Sequence, residues 1–189
     1  NMGEKNIVLV TGGKASGATT YNNVLSVSCS RANKNTMIIN MSDDAMYATY
    51  LVDLGSPFDI KCYEYSIKNM IFKREFEFTN HLCALTMHEV SKDLRIDALR
   101  YFIKNRYKIN SDYIFIEVPA DMIMEVSRLL RHRINTIFYV CESVLWEIEN
   151  CLDNLKDLSQ KFPTKLWINN ETRFRYTNDW LDMGQIGEL

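Results

Sequence analysis

The stretch Val10 to Asn23, VTGGKASGATTYNN, constrains this chain more than any other. It follows a short apolar run, Asn6–Val10. It precedes Tyr21, Val24, Leu25, Ser28, Cys29 and Ala32, which recur at helical spacing. Gly12 is followed by four residues and then by Gly17, Ala18 and Thr19. That is the spacing G-x-x-x-x-G-K-[ST] with alanine in place of the lysine. Glycines at these positions let backbone N–H groups turn inward around phosphate oxygens, and the helix that follows adds the positive end of its dipole. The strand–loop–helix context therefore predicts a phosphate-loop fold. Its candidate nucleotide-binding residues are Gly12, Gly13, Lys14, Ala15, Ser16, Gly17, Ala18, Thr19 and Thr20, and the Thr19 hydroxyl is a candidate ligand for magnesium.

Elsewhere, short apolar runs alternate with longer amphipathic stretches. Strands are predicted at Asn6–Val10, Thr36–Asn40, Leu82–Thr86, Asp112–Pro119, Thr136–Cys141 and Thr164–Ile168. Helices are predicted after the glycine loop and over Asp43–Leu54, Leu94–Tyr107, Asp121–His132 and Glu142–Gln160. In the third of these, Leu94, Ala98, Tyr101 and Phe102 share a face. Residues 59–78 are ambiguous: SIKNMIF reads as helix, whereas EFEF alternates as a strand does. Strict alternation of strand and helix means an α/β fold, three layers with a mainly parallel central sheet. Residues 1–189 read as one domain, a size that supports a full core. Asn1-Met2 reads as a remnant ahead of a native start, and the closing IGEL as the beginning of one more strand.

At this point the sequence resembles the MinD/ParA superfamily of ATPases, whose loop runs K-G-G-x-G-K-[ST]. MIINMSDDAMYATYLVDLG resembles that family's second strand and D-x-D element, SDYIFIEVPAD its Walker B strand, and TKLWINN the strand ending in an adenine-reading asparagine. HLCALTMHEV and NTIFYVCESVLWEIENCLDNLKDL resemble two further strand segments. Within the superfamily, GQIGEL is similar to a motif of the TadZ/CpaE-like pilus-assembly branch. The resemblance places Gly13 at the signature lysine and Ala18 at the loop lysine. Thr19 falls on the magnesium threonine, Asn40 and Ser42 on the two aspartates, Glu117 on the Walker B aspartate and Asn169 on the adenine contact. It implies ATP or ADP with magnesium as cofactor, Thr19 and Glu117 as the metal pair, and a face-to-face dimer.

Phosphoryl transfer rests on positioning and charge stabilisation, and removing one such contact costs on the order of 10²–10³ in rate. Loss of both lysines and the water-orienting aspartate predicts a catalytically inactive protein whose nucleotide site is weak or empty. The function expected is a localisation or assembly scaffold for a surface machine such as a pilus or secretion apparatus, with protein partners. Two alternatives stand beside it. One is an active ATPase that uses Lys14 and Asp43 in place of the lost groups. The other is a ParA-like DNA-binding partition or regulatory protein, for which the basic stretches Arg100–Lys108 and Arg128–Arg133 are candidates.

Composition limits these choices. Lysine and arginine number 22 against 24 aspartates and glutamates, so the net charge of −2 exerts no overall pull on nucleic acid or anionic lipid. The chain carries no bilayer-spanning apolar run. The five cysteines lack CxxC spacing and the three histidines make no zinc pattern, so the thiols read as reduced core residues of a cytoplasmic protein recruited to the inner face of the membrane. Trp146, Trp167 and Trp180, with Phe174 and Tyr176, read as core or interface.

Overall fold

The computed structural model describes residues 5–42, 61–67, 70–78, 82–86, 92–104 and 111–169. Eight strands form one sheet: β1 (Ile7–Gly12), β2 (Thr36–Asn40), β3 (Lys61–Ile67), β4 (Met70–Phe78), β5 (Leu82–Thr86), β6 (Tyr113–Pro119), β7 (Ile134–Glu142) and β8 (Thr164–Asn169). The helices are α1 (Ala18–Arg31), α2 (Lys92–Lys104), α3 (Ile123–Leu130) and α4 (Leu145–Lys161), and a turn of 3-10 helix, Ala120–Met122, leads into α3. The strand order is β3-β4-β5-β2-β6-β1-β7-β8. The pairs from β5 to β8 are parallel, while β4 runs antiparallel to β3 and β5. The predicted α/β architecture is present.

Connection handedness sets the layers. The step from β1 to β2 runs one way along the sheet; the steps β5 to β6, β6 to β7 and β7 to β8 run the other way. Right-handed crossovers then put α1 on one face and α2, α3 and α4 on the opposite face. The core divides accordingly. Ile7, Leu9, Met37, Ile39, Ile114, Ile116, Ile134 and Ile137 pack with Ile96, Leu99, Ile123, Val126, Leu130, Ile148 and Leu158 from the three helices. The alternate residues Val8, Val10, Phe115 and Val140 meet Ala18, Tyr21, Leu25 and Cys29 of α1. Burying a side chain the size of Leu158 contributes roughly 1.5–3 kcal/mol.

Several expectations change, and the ambiguous stretch resolves toward strand. Ser66 and Ile67 end β3, and Met70 and Ile71 begin β4, which together extend the sheet as an antiparallel pair. Pairing with β5 overrides a helical pattern only a few residues long, too short to stand alone. Among the described side chains of α2, Arg95, Ile96, Ala98 and Leu99 are buried and Leu94 is exposed; Tyr101 and Phe102 lie outside the described side chains. The helix is apolar on more than one side, and docking selects the stripe. In α1 the deepest residues are Asn22, Asn23, Ser26, Val27 and Ser30, while Val24 is exposed and Tyr21, Leu25 and Cys29 are only half-buried. Trp146 and Trp167 are exposed rather than core. Helix boundaries also shift: α3 ends at Leu130 and α4 begins at Leu145, because β7 runs on to Glu142. The predicted helix at Asp43–Leu54, the strand at IGEL, and Phe174, Tyr176 and Trp180 lie outside the described residues.

Candidate functional site

The chain leaves β1 toward one side of the sheet and crosses from β6 to β7 over β1 toward the other, so the end of β1 is a switch point where an α/β sheet opens a crevice. The glycine loop fills it. Gly12 pairs in register with Pro119 of β6 and Val140 of β7. A Cβ on Gly12 would sit 2.3 Å from the Val140 carbonyl oxygen and 2.4 Å from Ser16 Oγ, so no side chain fits there. The Ser16 N–H donates to the Gly13 carbonyl at 3.1 Å, closing the loop. Gly17 then takes the left-handed conformation, φ 97°, as the N-cap of α1. Ala15 is also left-handed, at φ 62°. Of the loop residues, Lys14, Ala15 and Thr20 are exposed, and Ser16, Gly17 and Ala18 are buried.

Two long-range contacts hold this loop. The Thr19 hydroxyl donates to Glu117 Oε1 on β6 at 2.5 Å, and Glu117 is buried. The Asn169 amide nitrogen, at the end of β8, donates to the Ser16 carbonyl at 3.2 Å. Asn169 lies so close that a Cβ on Gly17 would stand 2.5 Å from its Nδ2. The Thr19 bond also explains the odd face of α1. Asn22, Asn23, Ser26 and Ser30 follow Thr19 at helical spacing, so fixing Thr19 to β6 turns that polar stripe down onto the sheet. Ser26 Oγ satisfies itself on the Asn22 carbonyl at 2.5 Å.

The cradle lacks the charges that a triphosphate cradle carries at its two lysine positions. Gly13 and Ala18 carry no charge, and Lys14 is exposed. What stands beside Gly13 is the carboxylate of Glu147, from the first turn of α4: its Oε2 would be 3.4 Å from a Cβ at Gly13. Burial, and then repulsion from Glu142, raise the Glu147 pKa. Glu147 escapes sequence reasoning because it is far from the loop in the chain; its only signal is its position in the first turn after β7, a strand that flanks β1.

The other candidates fall as follows. Asn40 is fully buried, in register with Glu117, and its Oδ1 accepts from Ser42 N at 2.8 Å and Ser42 Oγ at 2.6 Å. The pair thus closes a turn after β2. Met41 beyond it is held by its N–H to the Glu117 carbonyl at 3.0 Å, and by Arg95 Nη1, which donates to the Met41 carbonyl at 2.9 Å. Loop, Glu117, Asn169, Asn40 and Ser42 are therefore brought to one end of the sheet. Asp43 lies outside the described residues. Arg128 and Arg131 are exposed near exposed Asp121 and Glu125, and Arg100 pairs with Asp97 at 2.8 Å. Among the described residues no group of three or more histidine, cysteine, aspartate or glutamate side chains could hold a metal ion, and no helix is long and apolar enough to cross a membrane.

A scan against protein-family models and a search of curated protein sequences match nothing. Solved structures do match. The kinase domain of the Escherichia coli tyrosine kinase ETK superposes with a TM-score of 0.62 at 15% identity, over 92% of this chain and 72% of that one. A plasmid partition protein from Borrelia burgdorferi gives 0.61 at 17%, over 91% and 81%. The septum site-determining protein MinD from Pyrococcus horikoshii, solved with Mg-ADP, gives 0.61 at 14%, over 96% and 75%. At such identities the likeness concerns the fold, and the fold is that of the MinD/ParA-type P-loop ATPases.

Proposed function

We propose that this chain is a P-loop ATPase-like protein that has lost catalysis and serves as a localisation or assembly scaffold. The carrying observation is the charge of the cradle. Geometry for phosphate is kept in the tight Gly12, the left-handed Gly17 and the start of α1. The two lysine positions hold Gly13 and Ala18, and the Glu147 carboxylate lies beside Gly13. The triphosphate transition state spreads charge over oxygens that neither lysine position neutralises. The residues that fit a magnesium nucleotide are Thr19 and Glu117 for the metal and the loop N–H groups for phosphate; a bound magnesium would have to draw the Thr19 hydroxyl away from Glu117.

On this reading nucleotide binding is weak or absent, and the protein acts through protein partners, as part of a pilus or secretion apparatus at the inner face of the membrane. A homodimer, where formed, does not need nucleotide. Calorimetry with ATP and magnesium tests the proposal. The expected result is weak or undetectable binding by the wild type, tighter binding by Ala18→Lys, and no phosphate release from either. Tight wild-type binding with turnover that Lys14→Ala abolishes would overturn it in favour of an ATPase with relocated groups.

A further inference from the structure

Cys141 and Cys151 lie on different elements, at the end of β7 and in the second turn of α4, yet their sulfurs are 3.5 Å apart and share a hydrogen bond. Both are free thiols, and both are buried, at 2% and 6% exposure. A disulfide needs its sulfurs about 2.05 Å apart, and these two face each other with no other atom bonded between them. We propose that Cys141 and Cys151 form a reversible dithiol–disulfide couple, an oxidation site built beneath the glycine loop.

The Cys151 S–H donates to the Cys141 sulfur, so the two thiols titrate as a linked pair. Either can attack first while the other resolves, and the steps are the same with the two exchanged. With a hydroperoxide as oxidant, the Cys151 thiolate attacks a peroxide oxygen. An S–O bond forms, the O–O bond breaks, and the departing hydroxide becomes water with the proton Cys151 released. Cys141 then attacks the sulfenic sulfur. An S–S bond forms, the S–O bond breaks, and the second hydroxide leaves as water with the Cys141 proton. Two thiols lose two electrons in all, and one peroxide gains them.

The location gives the couple a target. Residues 142–150, between the two cysteines, include the wall of the glycine loop. Val140, one residue before Cys141, presents its carbonyl to Gly12, and Glu147, one turn before Cys151, stands beside Gly13. The closed bond ties the start of α4 to β7 at that wall.

The test is a peptide map of the reduced wild-type protein after brief hydrogen peroxide, with remaining thiols alkylated. Proteolysis after Glu142, Glu147 and Glu149 separates the two cysteines, so the fragments stay together only through a sulfur–sulfur bond. The expected result is one joined species, lighter by two hydrogens, released by dithiothreitol and absent from Cys151→Ser and Cys141→Ser. Half-buried Cys29 is the internal control. If Cys29 is oxidised while Cys141 and Cys151 are recovered as separately alkylated thiols, or if either goes to sulfinic acid without joining the other, the couple is refuted. The wild-type map decides the matter even where a serine variant does not fold.

Discussion

Gly17→Ala is the most exposing perturbation of the loop, because the structure assigns its cost to two separable causes. The first is backbone: at φ 97° an alanine pays about 1–2 kcal/mol that glycine does not. The second is contact: the new Cβ would stand 2.5 Å from Asn169 Nδ2, so the amide must leave the Ser16 carbonyl it now bonds at 3.2 Å. Losing that bond costs about 1 kcal/mol, more if the carbonyl stays dry. Against both, alanine reduces the freedom of the unfolded chain by about 0.4–1 kcal/mol. The sum is a net destabilisation of about 2 kcal/mol. Urea unfolding of four proteins measures it: wild type, Gly17→Ala, Asn169→Ala and the double variant. In the Asn169→Ala background only the backbone cost remains, so Gly17→Ala should be cheaper there by about 1 kcal/mol. Gly13→Ala is the control, since Gly13 is not left-handed and its Cβ meets only Glu147 Oε2 at 3.4 Å; it should be neutral or stabilising. If Gly17→Ala lies within about 0.5 kcal/mol of wild type, or costs the same in both backgrounds, the geometry assigned to Gly17 and Asn169 is wrong.

Three further outcomes are expected. Thr19→Val removes the hydroxyl that donates to buried Glu117 and should destabilise by about 1.5–3 kcal/mol, with Thr19→Ser close to wild type in a thermal melt. Glu147 has its folded pKa raised, so its contribution to stability is full below the ordinary carboxylate range and is lost as pH rises through the raised value. Glu147→Gln should therefore be more stable than wild type at neutral pH, by at most about 1 kcal/mol given its solvent screening, and urea midpoints across pH should converge in acid. Trp167 packs against Tyr21 with the rings tilted and their centroids 4.8 Å apart, whereas Trp146 is 55% exposed. Trp167→Ala should cost about 1 kcal/mol or more, and Trp146→Ala less than about 0.5, as read by chemical denaturation.

Much of this molecule is local, and what is local was legible. Gly12 and Gly17 announce a tight, partly left-handed loop because no other residue type fits those backbone demands. Apolar runs such as IVLV and YIFIEV mark strands buried on both faces, and their alternation with helices leaves few topologies once crossovers must be right-handed. The missing lysines, too, are visible in the chain itself. Tertiary structure decided what depends on partners far along the chain. It turned the Asn22–Ser26–Ser30 stripe of α1 inward, because Thr19 is anchored to Glu117, 98 residues away. It made strand of Ser66 and Ile67 and of Met70 and Ile71 by offering β5 as a template. It set Glu147 beside Gly13 and Cys151 against Cys141, pairings that no periodicity encodes. Backbone preference and hydrophobic period act over a few residues, so a sequence displays them directly. Helix rotation, strand pairing and side-chain approach follow from which surfaces meet, and that exists only once the chain has packed.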